Sequence, residues 1–100
     1  MEYKIIYSLK FRNEFKNILN YFIYELGNKE AAENFKQVFI NKLNLIQDFP
    51  FSNTIINNRL EKEIRKFKVN KYLVYYYVDN NEIVLLTIRH ARQRQIININ

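Results

Sequence analysis

The first half of the chain starts with an alternating segment and then changes to helical spacing. In EYKIIYS, Tyr3, Ile5 and Tyr7 fall on one face, which predicts a strand. Ser8 is placed to cap the helix that follows, and Gly27, the only glycine, stands where a helix C-terminus needs a left-handed residue. The helical spacing predicts a buried stripe made of Phe15, Ile18, Leu19, Phe22, Ile23 and Leu26.

A second helix is predicted to begin near Lys29 and to end before Pro50. The turn between the two helices is short, so we expect them to pack as an antiparallel hairpin. The segment FPFSNTIINN, residues 49–58, is predicted to be a loop. The buried stripe of the second helix is predicted to be Ala32, Phe35, Phe39, Leu43 and Ile46.

After the predicted loop, the pattern of apolar and polar residues has a period of two. EIRKFKV, KYLVYYYVD and EIVLLTIRH read as three strands of an antiparallel meander, with a tight turn at Asp79–Asn81. In the closing strand, Val84, Leu86 and Ile88 are predicted to face inward, and His90 shares their parity. The predicted fold is α+β, in the order β-α-α-β-β-β, with the helix hairpin packed on a twisted, mainly antiparallel sheet. We expect residues 1–100 to form a single domain.

Composition limits the classes of protein that remain. With 48% hydrophobic and 16% aromatic residues, the 100-residue chain can build one core. It has no cysteine, which excludes disulfides, cysteine metal sites and thiol nucleophiles. No signal peptide and no run of eighteen apolar residues occur, so we expect a soluble, cytoplasmic protein that does not associate with membranes.

The net charge of +6 is concentrated in the C-terminal part. Residues 1–58 contain seven Lys/Arg against six Asp/Glu, whereas residues 59–100 contain nine against four. Such a field attracts nucleic acid or an acidic protein segment, although solubilising charge alone produces similar patches.

Most catalytic templates are missing from the sequence. There is no glycine-rich phosphate loop, no metal-ligand spacing and no nucleophile–His–Asp set, because His90 is the only histidine. What remains is a basic and aromatic set on the predicted strands, which can bind phosphate and stack bases. Strand tyrosines are more often half-buried sheet residues, and a lone histidine at a strand end is more often structural than catalytic. The set consists of Arg65, Lys66, Lys68, Lys71, Tyr75, Tyr76, Tyr77, Arg89, His90, Arg92 and Arg94.

Nearly the whole chain resembles the RelE/ParE superfamily of type II toxin–antitoxin toxins. The resemblance rests on the opening YKIIYS strand, the helix hairpin, LIQDFPFSN, and above all IRKFKVNKYLVYYYVDNNEIVLLTIRHAR. Two departures stand out. Phe51, Ser52 and Asn53 replace the usual glycine after FP, and Gln93 and Arg94 stand near the position where many members have an acidic residue.

The resemblance implies a toxin that arrests growth and is neutralised by a small antitoxin from the same operon. RelE-like members cleave mRNA on the ribosome with sheet Lys and Arg residues and a C-terminal Tyr or His, whereas ParE-like members inhibit DNA gyrase. Arg65 with Lys66 or Lys68 matches the basic strand, and Arg92 matches the arginine after the last strand. Leu73 stands where RelE-like nucleases have an arginine, and no tyrosine follows Arg92. The segments YLVYY and IRHAR look closer to the ParE-like branch, while His90 keeps a nuclease in consideration.

The resulting expectations are specific. A nuclease would use His90, Arg92 and Arg65, with no metal and no cofactor. The expected partners are a cognate antitoxin, either gyrase or ribosome-bound mRNA, and operator DNA only through the antitoxin. A chain that has lost its toxicity and only pairs with its antitoxin also fits the sequence. The residues expected to bind a target or nucleic acid are Lys66, Lys68, Lys71, Tyr75, Tyr77, Arg89 and Arg94.

Overall fold

The computed structural model describes residues 2–57 and 62–92. The elements in chain order are β1 (Lys4–Tyr7), α1 (Leu9–Asn20), a π-helix (Tyr21–Glu25), α2 (Lys29–Asp48), β2 (Ile55–Asn57), β3 (Ile64–Val69), β4 (Tyr72–Asp79) and β5 (Glu82–His90). The sheet has the strand order β1-β5-β4-β3-β2; β1 runs parallel to β5, and the other pairs are antiparallel. The predicted α+β class is confirmed. The predicted loop 49–58 is corrected, because it contains the edge strand β2.

Ser8 fixes the start of α1 and ties it to the sheet. Its Oγ accepts a hydrogen bond from the backbone N–H of Phe11 at 3.0 Å and donates one to the carbonyl of Leu86 at 2.8 Å. The predicted N-cap is therefore confirmed, and it also sets where α1 crosses β5. Phe11 lies in the first turn after the cap and is buried, a core position outside the predicted stripe.

The end of the first helix departs from the predicted stripe. A π-helix follows α1, and the N–H of Leu26 bonds to the carbonyl of Tyr21, an i→i+5 contact of 3.1 Å. The wider turn rotates the side chains that follow it, so Leu26 is 54% exposed and its predicted place in the buried stripe is wrong. Gly27 has φ +59° and supplies the expected left-handed residue.

The second helix has the predicted buried stripe. Its five members are all buried, and two of them make tilted ring contacts with the first helix and the π-helix. Phe39 lies 4.8 Å from Phe15 of α1 between ring centroids, and Phe35 lies 5.6 Å from Phe22 of the π-helix. Phe35 also meets Tyr72 of β4 edge-on at 5.2 Å. The aromatic layer thus joins the helix hairpin to one face of the sheet.

A β-bulge in β5 changes which side chains face the helices. Tyr75 pairs with Thr87, but Tyr76 pairs with Leu85, so Leu86 has no partner in the register. Before the bulge, the odd-numbered residue Leu85 is buried and faces the helices. After the bulge, the even-numbered residues of β5 face the helices. The prediction that Val84 and Leu86 face inward is therefore wrong; Leu86 packs instead against a small cluster on the opposite face. Ile88 and His90 do lie on the helix side, opposite Val74 and Tyr72.

The turns around β4 both use asparagine. Asn70 has φ 53° and Asn80 has φ 55°, a left-handed conformation that asparagine tolerates better than most residues. The predicted tight turn at Asp79–Asn81 is confirmed. No helix in the described part of the chain is long and apolar enough to cross a membrane.

Candidate functional site: two faces and two ends of the sheet

The predicted site residues divide between the two faces of the sheet. Arg65, Tyr76 and His90 have the parity of the helix-facing residues, whereas the lysines of β3 have the opposite parity. Two cross-strand rows result on the outer face, meaning the face turned away from the helices. One row is Lys68, Leu73 and Arg89, and the other is Lys66, Tyr75 and Thr87.

The outer face has its own apolar cluster. Ile64, Leu73 and Tyr75 are buried there, and Tyr75 is only 1% exposed. A partner therefore has no access to the Tyr75 ring in this form, although the sequence placed it among the binding residues. Lys68 is exposed beside this cluster, and Lys66 is half-buried.

Tyr77 also lies on the outer face and is covered by a lysine. The ammonium nitrogen of Lys62 sits 5.5 Å from the centre of the Tyr77 ring and forms an ion pair with Asp79 at 2.9 Å. A cation over an aromatic face stabilises both groups. The Tyr77 ring is thus partly engaged within the chain.

Arg65 clamps the segment that follows α2. Its side chain is 11% exposed, and Nη1 donates to the carbonyls of Phe51, at 3.2 Å, and of Asn53. The guanidinium carbon lies 5.3 Å from the centre of the Phe51 ring, and Nη2 is 3.4 Å from Glu63. The guanidinium that the sequence assigned to a nuclease site therefore holds residues 51–53 in place.

The structure does not bring Arg65 together with His90. Arg65 pairs with Tyr76, whereas His90 pairs with Tyr72, four residues away on β4. Four residues of strand span about 13 Å. The two groups face the same side of the sheet at its two ends, so they do not form one catalytic set in this conformation.

Tyr76 is a structural residue that completes the clamp. It is fully buried; its hydroxyl donates to the carbonyl of Pro50 at 2.9 Å and accepts from Nδ2 of Asn53 at 3.2 Å. Burial raises the pKa of the Tyr76 phenol, and the hydrogen bond from Asn53 and the charge of Arg65 lower it by less. The alternation of the strand predicts that Tyr76 faces away from Tyr75 and Tyr77. It does not indicate that the Tyr76 hydroxyl bonds to Pro50 and Asn53.

The other end of the sheet is built around His90. Its Nδ1 accepts the backbone N–H of Arg92 at 3.0 Å, so a neutral His90 has its proton on Nε2. The Tyr72 ring meets the imidazole edge-on at 5.1 Å. Burial, and next the nearby Tyr21, raise the pKa of Tyr72, which keeps this phenol protonated. Arg92 is exposed beside these two rings.

Two concave surfaces meet at Tyr72, His90 and Arg92. The first, which we call the α1–β5 cleft, has a volume of about 570 Å³. The second, the hairpin-tip groove, has a volume of about 860 Å³ and includes the exposed Lys71. The cleft is lined by Glu14, Asn17, Ile18, Tyr72, Ile88, Arg89, His90 and Arg92; the groove is lined by Tyr21, Phe22, Leu26, Ala31, Asn34, Phe35, Asn70, Lys71, Tyr72, His90 and Arg92.

Glu14 in the cleft closes the free edge of β5. Beyond the end of β1, its Oε1 accepts hydrogen bonds from Thr87 Oγ1 at 2.5 Å and from the backbone N–H of Ile88 at 3.1 Å. A carboxylate thus replaces a strand neighbour. No sequence pattern indicates this role, since Glu14 is one of several charged residues on α1.

Arg94 lies outside the described residues, as does Gln93. Within residues 2–57 and 62–92, no three His, Cys, Asp or Glu side chains come together in a way that could hold a metal ion.

The fold and sequence both match known toxins. The sequence profile of the family described as ParE toxin of type II toxin–antitoxin system, parDE, matches residues 5–95. A solved structure described as the chromosomal ParDE toxin–antitoxin system from P. aeruginosa is similar to this chain. Its TM-score is 0.69 and its sequence identity 14%, over 89% of this chain and 96% of that chain. No curated protein sequence is similar enough to match.

The helix hairpin on a five-stranded mixed sheet is the fold that this chain shares with that structure. Because the family profile covers most of the chain, this protein belongs to the ParE toxin family and is the toxin component of a type II toxin–antitoxin system.

Proposed function

We propose that this toxin arrests growth by inhibiting DNA gyrase, without cleaving RNA itself. The main support is the state of the residues that a RelE-like nuclease would use. Arg65 is committed to the carbonyls of residues 51 and 53, and Leu73 is buried at the position where such nucleases have an arginine. These two positions therefore offer no free cation to a scissile phosphate.

The gyrase proposal is tested with purified toxin and purified gyrase. We expect the toxin to block supercoiling of relaxed plasmid and to leave mRNA intact in a ribosome-dependent cleavage assay. Toxin mixed with its antitoxin is the control, and it should restore supercoiling. Undisturbed supercoiling at toxin concentrations that arrest cells would refute the proposal.

A cognate antitoxin is the second part of the proposed function, with the complex acting in the cytoplasm. We propose that an acidic antitoxin segment folds along the helix hairpin and the sheet. The net charge of +6 supports an acidic partner. Exposed apolar side chains at the hairpin tip support docking there: Tyr21, Tyr24 and Leu26 are 47%, 77% and 54% exposed.

The docking proposal is tested by hydrogen exchange of the toxin with and without its antitoxin. We expect slower exchange of backbone amides in residues 20–35 and in β5. Unchanged exchange in both segments, with a stable complex present, would place the antitoxin elsewhere.

A ribosome-dependent mRNA endonuclease is the alternative function, and one observation favours it. Lys66, Lys68 and Arg89 share the outer face in adjacent rows, and His90, although its parity is that of the helix side, ends the strand that carries Arg89. In that mechanism the cations hold the scissile phosphate while His90 transfers a proton. His90→Ala would then abolish mRNA cleavage and toxicity but leave antitoxin binding intact. Full toxicity of His90→Ala would exclude His90 from catalysis.

A further inference from the structure

The α1–β5 cleft contains an arginine with incomplete hydrogen bonding. Among the buried side-chain nitrogen and oxygen atoms of residues 2–57 and 62–92, Nε of Arg89 alone has no hydrogen-bond partner. A buried donor without an acceptor destabilises the folded chain. Arg89 has the parity of the outer face, but it lies on the part of β5 that β1 does not pair with, and there it also lines a cleft of about 570 Å³, a size typical of ligand sites.

Glu14 is the one acidic residue in the cleft wall, and it does not pair with Arg89. Its Oε1 is occupied by Thr87 Oγ1 and the N–H of Ile88. The ion pairs among the described residues likewise do not include Arg89. Within residues 2–57 and 62–92, the donors of the Arg89 guanidinium are therefore not used by an acidic side chain, and its buried Nε has no acceptor at all.

We propose that Arg89 receives a carboxylate from an aspartate or glutamate side chain of the antitoxin, inserted into the α1–β5 cleft. This inference rests on the proposed antitoxin partner and names one of its anchor points. Planar guanidinium and carboxylate groups bind side by side through two hydrogen bonds, and a rotation of the long Arg89 side chain brings Nε into such a pair. Arg92 on the same wall adds positive charge.

The composition of the cleft wall favours a carboxylate over a nucleic-acid phosphate. Glu14 lines the same cleft, and its negative charge repels other negative charges. A nucleic acid would bring several successive phosphates near Glu14, whereas an antitoxin side chain would bring a single carboxylate, so the repulsion is weaker for the carboxylate. Ile18 and Ile88 form apolar walls, which suit a short side chain on a peptide with apolar neighbours.

Affinity measurements with the full chain and its antitoxin test the inference. For Arg89→Gln we expect the dissociation constant to rise about 30-fold or more, as when one member of a desolvated charge pair is removed. Arg89→Lys should recover only part of this loss, because lysine keeps the charge but not the fork. Arg12→Gln is the matched control, because Arg12 is an exposed arginine on α1 that lines neither concave surface. The affinity of the Arg12→Gln toxin for the antitoxin should equal that of wild type.

The possible outcomes separate this inference from the proposed function. Antitoxin that binds wild type and Arg89→Gln equally well would refute the carboxylate site and leave the toxin–antitoxin pairing intact. Antitoxin that does not bind wild type at all would overturn both. If Arg89→Gln weakens binding of a short single-stranded RNA but not of the antitoxin, the site takes phosphate and the inference is wrong.

A second measurement covers the case in which Arg89→Gln does not fold. In the ¹H–¹⁵N spectrum of wild-type toxin, the Nε–H signal of Arg89 should shift when antitoxin is added, and that of Arg12 should stay in place. A stationary Arg89 signal in a saturated complex would also refute the inference.

Discussion

Arg65 and Arg89 stand at opposite ends of the same sheet and differ in what their guanidinium groups contact. Arg65 donates to two backbone carbonyls, stacks on Phe51 and is nearly buried. Arg89 has a buried Nε without any acceptor. Both appear equivalent in the sequence, as cations on strands of a basic half. A charged residue on a strand therefore indicates a binding site only where the folded chain has not already supplied hydrogen-bond acceptors for its side chain.

The same contrast extends to the neighbours of each arginine. At the Arg65 end, Tyr76 and Asn53 hold residues 50–53 through further hydrogen bonds, so this end is internally satisfied. At the Arg89 end, two concave surfaces meet and exposed Arg92 lies beside them. We propose that the first end serves stability and the second recognition, and four experiments test this division in order of decreasing effect.

Arg65→Met should destabilise the protein most. Methionine keeps the aliphatic stem but leaves the carbonyls of Phe51 and Asn53 without their donor, so we expect the free energy of unfolding to fall by about 2–3 kcal/mol. Urea unfolding followed by circular dichroism measures this. A loss under about 0.5 kcal/mol, the range of ordinary surface substitutions, would mean that residues 50–53 hold their conformation without Arg65.

Tyr76→Phe should have the next largest effect. The ring still packs on Phe67, but the carbonyl of Pro50 and the amide of Asn53 lose their partner, which costs about 1–2 kcal/mol. Tyr24→Phe is the matched control, since Tyr24 is 77% exposed and should unfold like wild type. Equal stability of the two variants would contradict the role of the Tyr76 hydroxyl.

Alkaline pH should weaken the folded state through the buried phenols. Burial raises the pKa of Tyr76 and of Tyr72, so the folded chain keeps protons that the unfolded chain releases. Their stabilising contribution is complete below the unfolded tyrosine pKa of about 10 and is lost as pH rises through the higher folded values. Thermal melting across this range should show a fall in Tm that is shallower in Tyr76→Phe than in Tyr24→Phe. Identical slopes would show that Tyr76 does not contribute.

Arg89→Gln should change stability least. The substitution removes a buried donor without a partner, so we expect the free energy of unfolding to stay within about 0.5 kcal/mol of wild type or to increase. The same urea titration as for Arg65→Met gives the direct comparison. A loss as large as that of Arg65→Met would remove the distinction between the two ends.

Much of the fold could be predicted because its signals are local. Ser8, Gly27 and the stripe of the second helix were placed correctly, since caps and periodicity depend on backbone geometry within one or two turns. Leu26 was misplaced because a π-helix leaves no clear periodic signal. The inward face of β5 was misplaced because a bulge adds one residue and reverses the alternation of Val84 and Leu86.

The candidate site was harder to predict because it depends on contacts between distant residues. The sequence identified Arg65, Arg89, His90 and Arg92 as a group, but Arg65 is bound to carbonyls twelve and fourteen residues earlier in the chain. Glu14 was not foreseen, although it bonds to Thr87, 73 residues away. No pattern of spacing indicates such pairs.

By itself, then, the sequence determined the order of helices and strands, the helix ends, and the concentration of positive charge in the second half. These depend on hydrophobic period, on the φ angles that Gly and Asn tolerate, and on composition, all of which are properties of short segments. Only the tertiary structure decided which cations have partners and which line a cleft. That outcome depends on hydrogen bonds and burial, which arise when segments far apart in the chain pack together.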